Sequence, residues 1–474
     1  MNKLQLNLSG GMNRKTAPLI IKDEECELAV NVDLDRVGAV EKRKGYSTTH
    51  PTIPGTGAIN GLSSNIVNNG SVYWYAARNR NVYVYHHGWS SWISRESTLN
   101  STVEKVRFAS FVDRTFRVVE NTEMQSSFGQ TSFGDTQVPD DIEPRYIEVF
   151  TDRVYVASNS DEGAESSRVY FSSLPDNDSI SWDTDNDWFD VNPDDGDEIT
   201  ALANNGNRLL IFKNRALYRW TFGQVEPDKL IGVGTTSQES VKTNLDVGIT
   251  FFANPHGVYA YSGGRPKLLS RKIQDVIDAV SDWEDVVAEI DIEHYYLAVG
   301  NITLEGREYQ NCVLVYHISL DAWSMFTFAH PVNIMARLPD NDGITERVYF
   351  GSDNGKVYEL WAGDSDDGAP IQVFFRSKEY LISYPYKVEL DRVDVFAQNR
   401  GTGQVFIDND RNNDFIPLGP LEDRVTPLRA SKGDKLNSIR LLVSDNSTNP
   451  LMIEGFNFEY EDTLRRDEGS KEIA

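Results

Sequence analysis

Arg347-Val348-Tyr349-Phe350-Gly351-Ser352-Asp353-Asn354-Gly355-Lys356-Val357-Tyr358-Glu359-Leu360 reads as strand, turn, strand. The flanking runs are β-branched and aromatic, types that fit a pleated, half-buried surface. Asn354-Gly355 between them readily supplies the two positive-φ positions of a type I′ hairpin turn. The same signature recurs at Ser71–Tyr75, Asn81–Tyr85, Arg153–Val156, Arg168–Phe171, Leu209–Phe212, Gly257–Tyr261 and Tyr295–Val299. Asn, Asp or Gly bounds most of these runs, as strand ends require. Only Lys272 to Val287 has helical spacing, with Ile273, Val276, Ile277 and Val280 at i, i+3, i+4 and i+7. The chain is expected to be all-β, with one short helix inserted.

The repeat carries more than any single hairpin. Units open near Gly61, Arg107, Tyr146, Ile199, Gly248, Ala288 and Asn333, a spacing that fits the roughly 40–50 residues of a four-stranded propeller blade. The expectation is a β-propeller of about seven blades over residues 55–363, because radial closure leaves only short strand edges exposed. Residues 348–360 are read as the outer hairpin of one blade. The Gly/Asp stretch Ala362–Pro370 is the domain boundary. Beyond it, strands at Val373–Arg376, Val388–Phe396, Gln404–Ile407, Asn437–Leu442 and Gly455–Tyr460 predict a small C-terminal β-sandwich over 371–461. Residues 1–54 form a segment leading into ring closure or subunit contacts, and 462–474 a charged tail.

Composition narrows the function. A chain of 474 residues exceeds what one core serves. Its 72 Asp and Glu against 46 Lys and Arg give a net charge of −26. Such a field repels a phosphate backbone, whereas proteins that grip nucleic acid present basic patches. The two cysteines, Cys26 and Cys312, sit in apolar runs far apart and read as small buried hydrophobes, with no disulfide framework. The sequence predicts neither a signal peptide nor a membrane anchor.

The search for chemistry returns few candidates. Asp183, Asp185 and Asp187, and again Asp408, Asp410, Asn412 and Asp414, follow the alternating Asp/Asn spacing that can wrap Ca²⁺. Asn413 and Gly419 stand where a complete loop needs Gly and a bidentate Glu, so solvated acidic turns are the simpler reading. Sugar hydrolysis on a propeller needs paired carboxylates, yet the repeated Ser-x-Asp-x-Gly-x-x-Trp turns of sialidases are missing from the sequence. The seven histidines show no metal spacing, and no phosphate loop occurs. Trp89, Trp92, Trp182, Trp188, Trp220 and Trp323 recur near blade ends and read as packing between blades, with carbohydrate stacking the sharper alternative. No catalytic residue, cofactor or firm metal ligand is assigned, and the expectation is a non-enzymatic protein.

One segment stands outside the repeats. Asn7-Leu8-Ser9-Gly10-Gly11-Met12-Asn13 leads through Glu25 to Asn31-Val32-Asp33 and ends on Lys42-Arg43-Lys44-Gly45-Tyr46. It resembles the opening of tail proteins of tailed bacteriophages. The Gly257 to Val280 strand–helix passage and the C-terminal β domain extend the resemblance loosely. What the resemblance implies is a hub or nozzle protein of short-tailed phages, of the kind described as packaged-DNA stabilisation proteins. It implies a homo-oligomeric ring, a hexamer, below a portal and adaptor complex, contacting tail fibres or spikes. Double-stranded DNA would pass through transiently without sequence recognition. The protein would be assembled in the host cytoplasm and reside in the virion. A receptor- or glycan-binding propeller at the tail tip is the alternative function, and a propeller glycosidase a distant third.

Overall fold

A computed structural model describes residues 8–97, 99, 104–140, 142–159, 165–384, 387–409, 415–429 and 435–461. The N-terminal segment contributes four strands: β1 (Cys26–Val30), β2 (Val32–Asp33), β3 (Val40–Lys42) and β4 (Tyr46–Ser47). After it, seven antiparallel sheets follow one another along the chain, each a meander of neighbouring strands. Their first strands are Ile59–Ile66, Arg107–Phe111, Pro144–Phe150, Ile199–Asn204, Lys242–Asn244, Val287–Ile290 and Ile334–Pro339. Each first strand neighbours the next in order, and Ile334–Pro339 returns to Ile59–Ile66, so the ring closes on itself. The protein is a seven-bladed β-propeller with a β-sandwich attached.

Six of the expected openings fall in or beside these inner strands. Gly248 does not: it lies in the turn between the first and second strands of blade 5. The true inner strand there is Lys242-Thr243-Asn244, which carries no apolar residue for a pattern reading to find. The helix is also shorter than its spacing predicts. A 3₁₀ turn Ser270–Ile273 runs into an α-helix Gln274–Asp278 that buries Ile273, Val276 and Ile277. The Asp282 side chain then accepts the backbone N–H groups of Glu284 and Asp285 and turns the chain into the inner strand of blade 6.

Blade 7 corrects a second expectation. Its hairpin, Glu346–Gly351 with Val357–Leu360, is the middle pair of the blade, because β4 adds outside it with Tyr46 opposite Leu360. A strand from the chain's beginning therefore fastens the last blade. The turn differs as well: Gly355 takes the positive φ of the Asn354-Gly355 pair, 78°. Ser352 accepts the Gly355 N–H and donates to Lys356, the pattern of a three-residue loop rather than a two-residue type I′ turn.

The N-terminal segment also joins propeller to sandwich. β1 runs parallel to the outer strand of blade 6, Ala322–Thr327, and antiparallel to Ile371–Ser377. Blade 6 thus continues through β1 into a ten-stranded sheet that forms one layer of the sandwich. β2 and β3 enter the other layer, with β3 beside Met452–Glu461. All five residues of β1 are buried, and one continuous apolar core unites blades 5 and 6, this strap and both sandwich sheets. The Gly/Asp stretch at 362–370 is pinned to the strap: Gly45 donates to the Gly363 carbonyl and Tyr46 to that of Ser365.

Candidate functional site

The turn from β1 into β2 brings four chemically able side chains together. Asn31 adopts φ 56° and bends the chain. Val32 and Leu34 then point into the core, so the alternation of an extended chain sends Asp33 and Asp35 to the opposite face. That face meets the end of blade 6, where His294 and His317 sit directly opposite each other on neighbouring strands. Both histidines are buried, while the Asp35 side chain keeps 40% of its exposure.

The contacts converge on one point. Asp35 Oδ1 lies 3.0 Å from His294 Nε2 and 3.1 Å from His317 Nδ1. Asp33 Oδ1 lies 3.9 Å from His317 Nδ1. Among the described residues, one ligand atom from each of these four groups falls within 4.8 Å of the others. The far nitrogens are occupied too. His294 Nδ1 faces the Tyr296 hydroxyl at 3.1 Å and Asp291 at 3.4 Å, and His317 Nε2 faces Ser324 Oγ at 2.9 Å. Trp361 stacks on His294 with ring centroids 5.4 Å apart and donates its indole N–H to Tyr296. Trp361 holds φ at 62°, a strained value for so bulky a residue. A cavity of about 380 Å³ opens over the group, walled by Asp33, Asp35, Asp291, His294 and Trp361.

The electrostatics follow from this crowding. Burial alone would lower the His294 imidazole, but Asp291 and Asp35 together push it up to about 10. Burial would raise Asp35, yet the two imidazoles hold it well below the usual carboxylate range. Asp33 moves the other way, raised by burial and by the neighbouring Asp35.

The sequence-predicted candidates among the described residues lie elsewhere. In the turn at 183–187, Asp183 accepts both contacts of the Asn186 amide, and the Asp185 carbonyl accepts the Trp188 indole. Asp408 is buried in the sandwich and paired with Arg440, which already neutralises it. Asp410, Asn412 and Asp414 lie outside the described residues. Most of the tryptophans serve packing: Trp92, Trp182, Trp220 and Trp323 each donate to a backbone carbonyl, and Trp220 stacks on Phe189 between blades 3 and 4. Cys26 and Cys312 are free and buried, and burial pushes the Cys312 thiol up to about 12.

Spacing along the chain hid the histidine pair, but the hairpin could have exposed it. His294 and His317 are equidistant from the turn Glu305-Gly306, whose two positive φ angles make a type I′ hairpin. Two irregularities near Gly300 offset each other, so the register survives to the far end.

A second cavity, about 420 Å³, lies on the propeller axis among the inner strands. Arg107 crosses it to Glu239 at 2.8 Å, and Lys242 pairs with Glu289 at 3.1 Å. Burial pushes Glu148, on the same wall, up to about 7.

No protein-family model and no curated protein matches the sequence. Among solved structures the chain is similar to one in a mitotic checkpoint complex, at 11% identity and a TM-score of 0.45, covering 69% of this chain and 94% of that one. It is also similar to YCF48 bound to D1 peptide, at 11% identity and 0.42, covering 65% and 95%. YCF48 from Cyanidioschyzon merolae gives 11% and 0.41, covering 65% and 98%. The fold rests on the seven sheets themselves. Among the described residues, no helix is long and apolar enough to cross a membrane.

Proposed function

We propose that this propeller is a non-enzymatic structural protein of a bacteriophage tail, assembling as a ring that continues the DNA exit path, retains packaged genome and docks the adaptor and tail fibres. The N-terminal segment carries the reading. The residues by which it resembles tail proteins are those by which the fold joins propeller and sandwich. Gly11, at φ 69°, lies where a Cβ would come within 2.8 Å of Ala322 and Trp323. Met12 donates to the Trp323 carbonyl. Asn31 accepts from Arg43 at 2.8 Å, and Arg43 grips Asp366 through both terminal nitrogens. Such bracing suits a part that bears the pressure of a packed genome.

Two further features support a ring of copies. The exposed apolar side chains include Leu174, Phe222 and Val225 on the outer loops of blades 3 and 4, and Leu381 and Tyr384 on the sandwich. A contact between two unlike patches is heterologous and closes into a ring when its rotation allows. The axial cavity is crossed by ion pairs, so DNA would pass between copies and not through a propeller. The test is the mass of the purified protein by light scattering, alone and mixed with its portal and adaptor. A six-fold species is expected. A persistent monomer in the mixture overturns the reading, and glycan binding by that monomer would favour the receptor-binding alternative.

A further inference from the structure

We propose that Asp33, Asp35, His294 and His317 form a binding site for a divalent transition-metal ion of the Zn²⁺ class, which ties the N-terminal strap to blade 6. The inference stands independently of the tail assignment.

Distance gives the first argument. Zinc binds imidazole nitrogen and carboxylate oxygen at about 2.0–2.2 Å, which sets tetrahedral ligand atoms about 3.3–3.5 Å apart. The separations of 3.0, 3.1 and 3.9 Å within the cluster bracket that value. Small side-chain movements would admit an ion at the centre.

Orientation gives the second. Ligating histidines characteristically engage the other ring nitrogen with a carboxylate or another polar group, which fixes the tautomer. His294 does so through Asp291 and Tyr296, and His317 through Ser324. With Nδ1 of His294 donating to Asp291 and Nε2 of His317 donating to Ser324, the lone pairs of His294 Nε2 and His317 Nδ1 both face Asp35 Oδ1. Acceptors set about 3 Å apart repel unless a cation lies between them, either a proton or a metal ion. Three carboxylates, those of Asp33, Asp35 and Asp291, surround the two imidazoles, so a divalent charge is well matched.

Chemistry selects the ion. Two imidazoles with two carboxylates suit zinc and its neighbours, whereas Ca²⁺ takes six to eight oxygens and Mg²⁺ keeps its waters. The cavity over the cluster gives an entry path, and Trp361, held in its strained conformation, shields His294.

The test uses untagged, full-length protein stripped with chelator and titrated with Zn²⁺ against a chromophoric competitor. One ion per chain is expected, undisturbed by excess Ca²⁺ or Mg²⁺. Co²⁺ in its place should show the visible bands of a four-coordinate site. His294→Ala and His317→Ala should each weaken binding by at least ~100-fold, and Asp291→Asn, which only positions His294, by about tenfold. If an alanine variant loses its circular-dichroism spectrum, Asp35→Asn and His317→Gln decide instead. Absence of saturable Zn²⁺ binding, or binding unchanged in folded variants, overturns the proposal.

Discussion

Arg43 is the residue on which three parts of the molecule meet. Its guanidinium is buried, forks onto Asp366 of the linker, bonds Asn31 at the strap's bend and packs over Phe328 of blade 6 at 4.8 Å. Removing one partner of such a pair strands a buried charge, typically at 3–5 kcal/mol. Arg43→Ala should lower stability by about that much in urea unfolding, and Arg43→Lys should recover little of it because an ammonium lacks the planar fork. Glu148 makes a pH-dependent case. Its folded value near 7 exceeds the ordinary 4.5, so the folded state holds the proton more tightly between those pH values. Its contribution is complete below about pH 4.5 and lost as pH rises through 7, at most about 3 kcal/mol and less because the axial cavity is open to water. Glu148→Gln should therefore raise the calorimetric unfolding temperature more at pH 8 than at pH 5. At this scale the sequence was readable for Trp and Cys, whose packing follows from residue type. It was not for His294, whose partner Asp35 lies 259 positions away, a separation that no local pattern carries.

At the scale of the element, the strap decides the architecture. Asn31–Asp35 and Gly38–Val40 read from the sequence as strand, turn, strand. That reading does not say which sheet such strands join, since an extended segment pairs with any edge presented to it. β1, β2 and β4 join three different sheets. Hairpin type was similarly hidden. Asn79-Arg80, Val112-Asp113 and Thr151-Asp152 take paired positive φ angles, whereas Asn354-Gly355 does not. Gly45 tests the strap directly, because a Cβ at that position would lie 1.9 Å from the Ser365 carbonyl oxygen. Gly45→Ala should displace the linker, expose residues 362–370 to limited proteolysis and cost stability comparable to a core truncation, about 2–5 kcal/mol.

On the scale of the whole molecule, the blade period made the propeller legible and the Gly/Asp linker marked the sandwich. What remained hidden was that the two form one body, because the joining strands come from the chain's other end. That union bears on assembly. A propeller joined to the sandwich through β1 carries exposed apolar side chains on both parts, and a contact between such unlike surfaces can close a ring. Phe222→Asp with Val225→Asp should leave the fold intact, since both side chains are exposed, while shifting the light-scattering mass from ring to monomer. Negative-stain imaging of the protein assembled with its portal and adaptor decides whether the copies form a ring. Closed six-fold rings with an open centre wider than a DNA duplex are the predicted result, and isolated propellers or open filaments would contradict it.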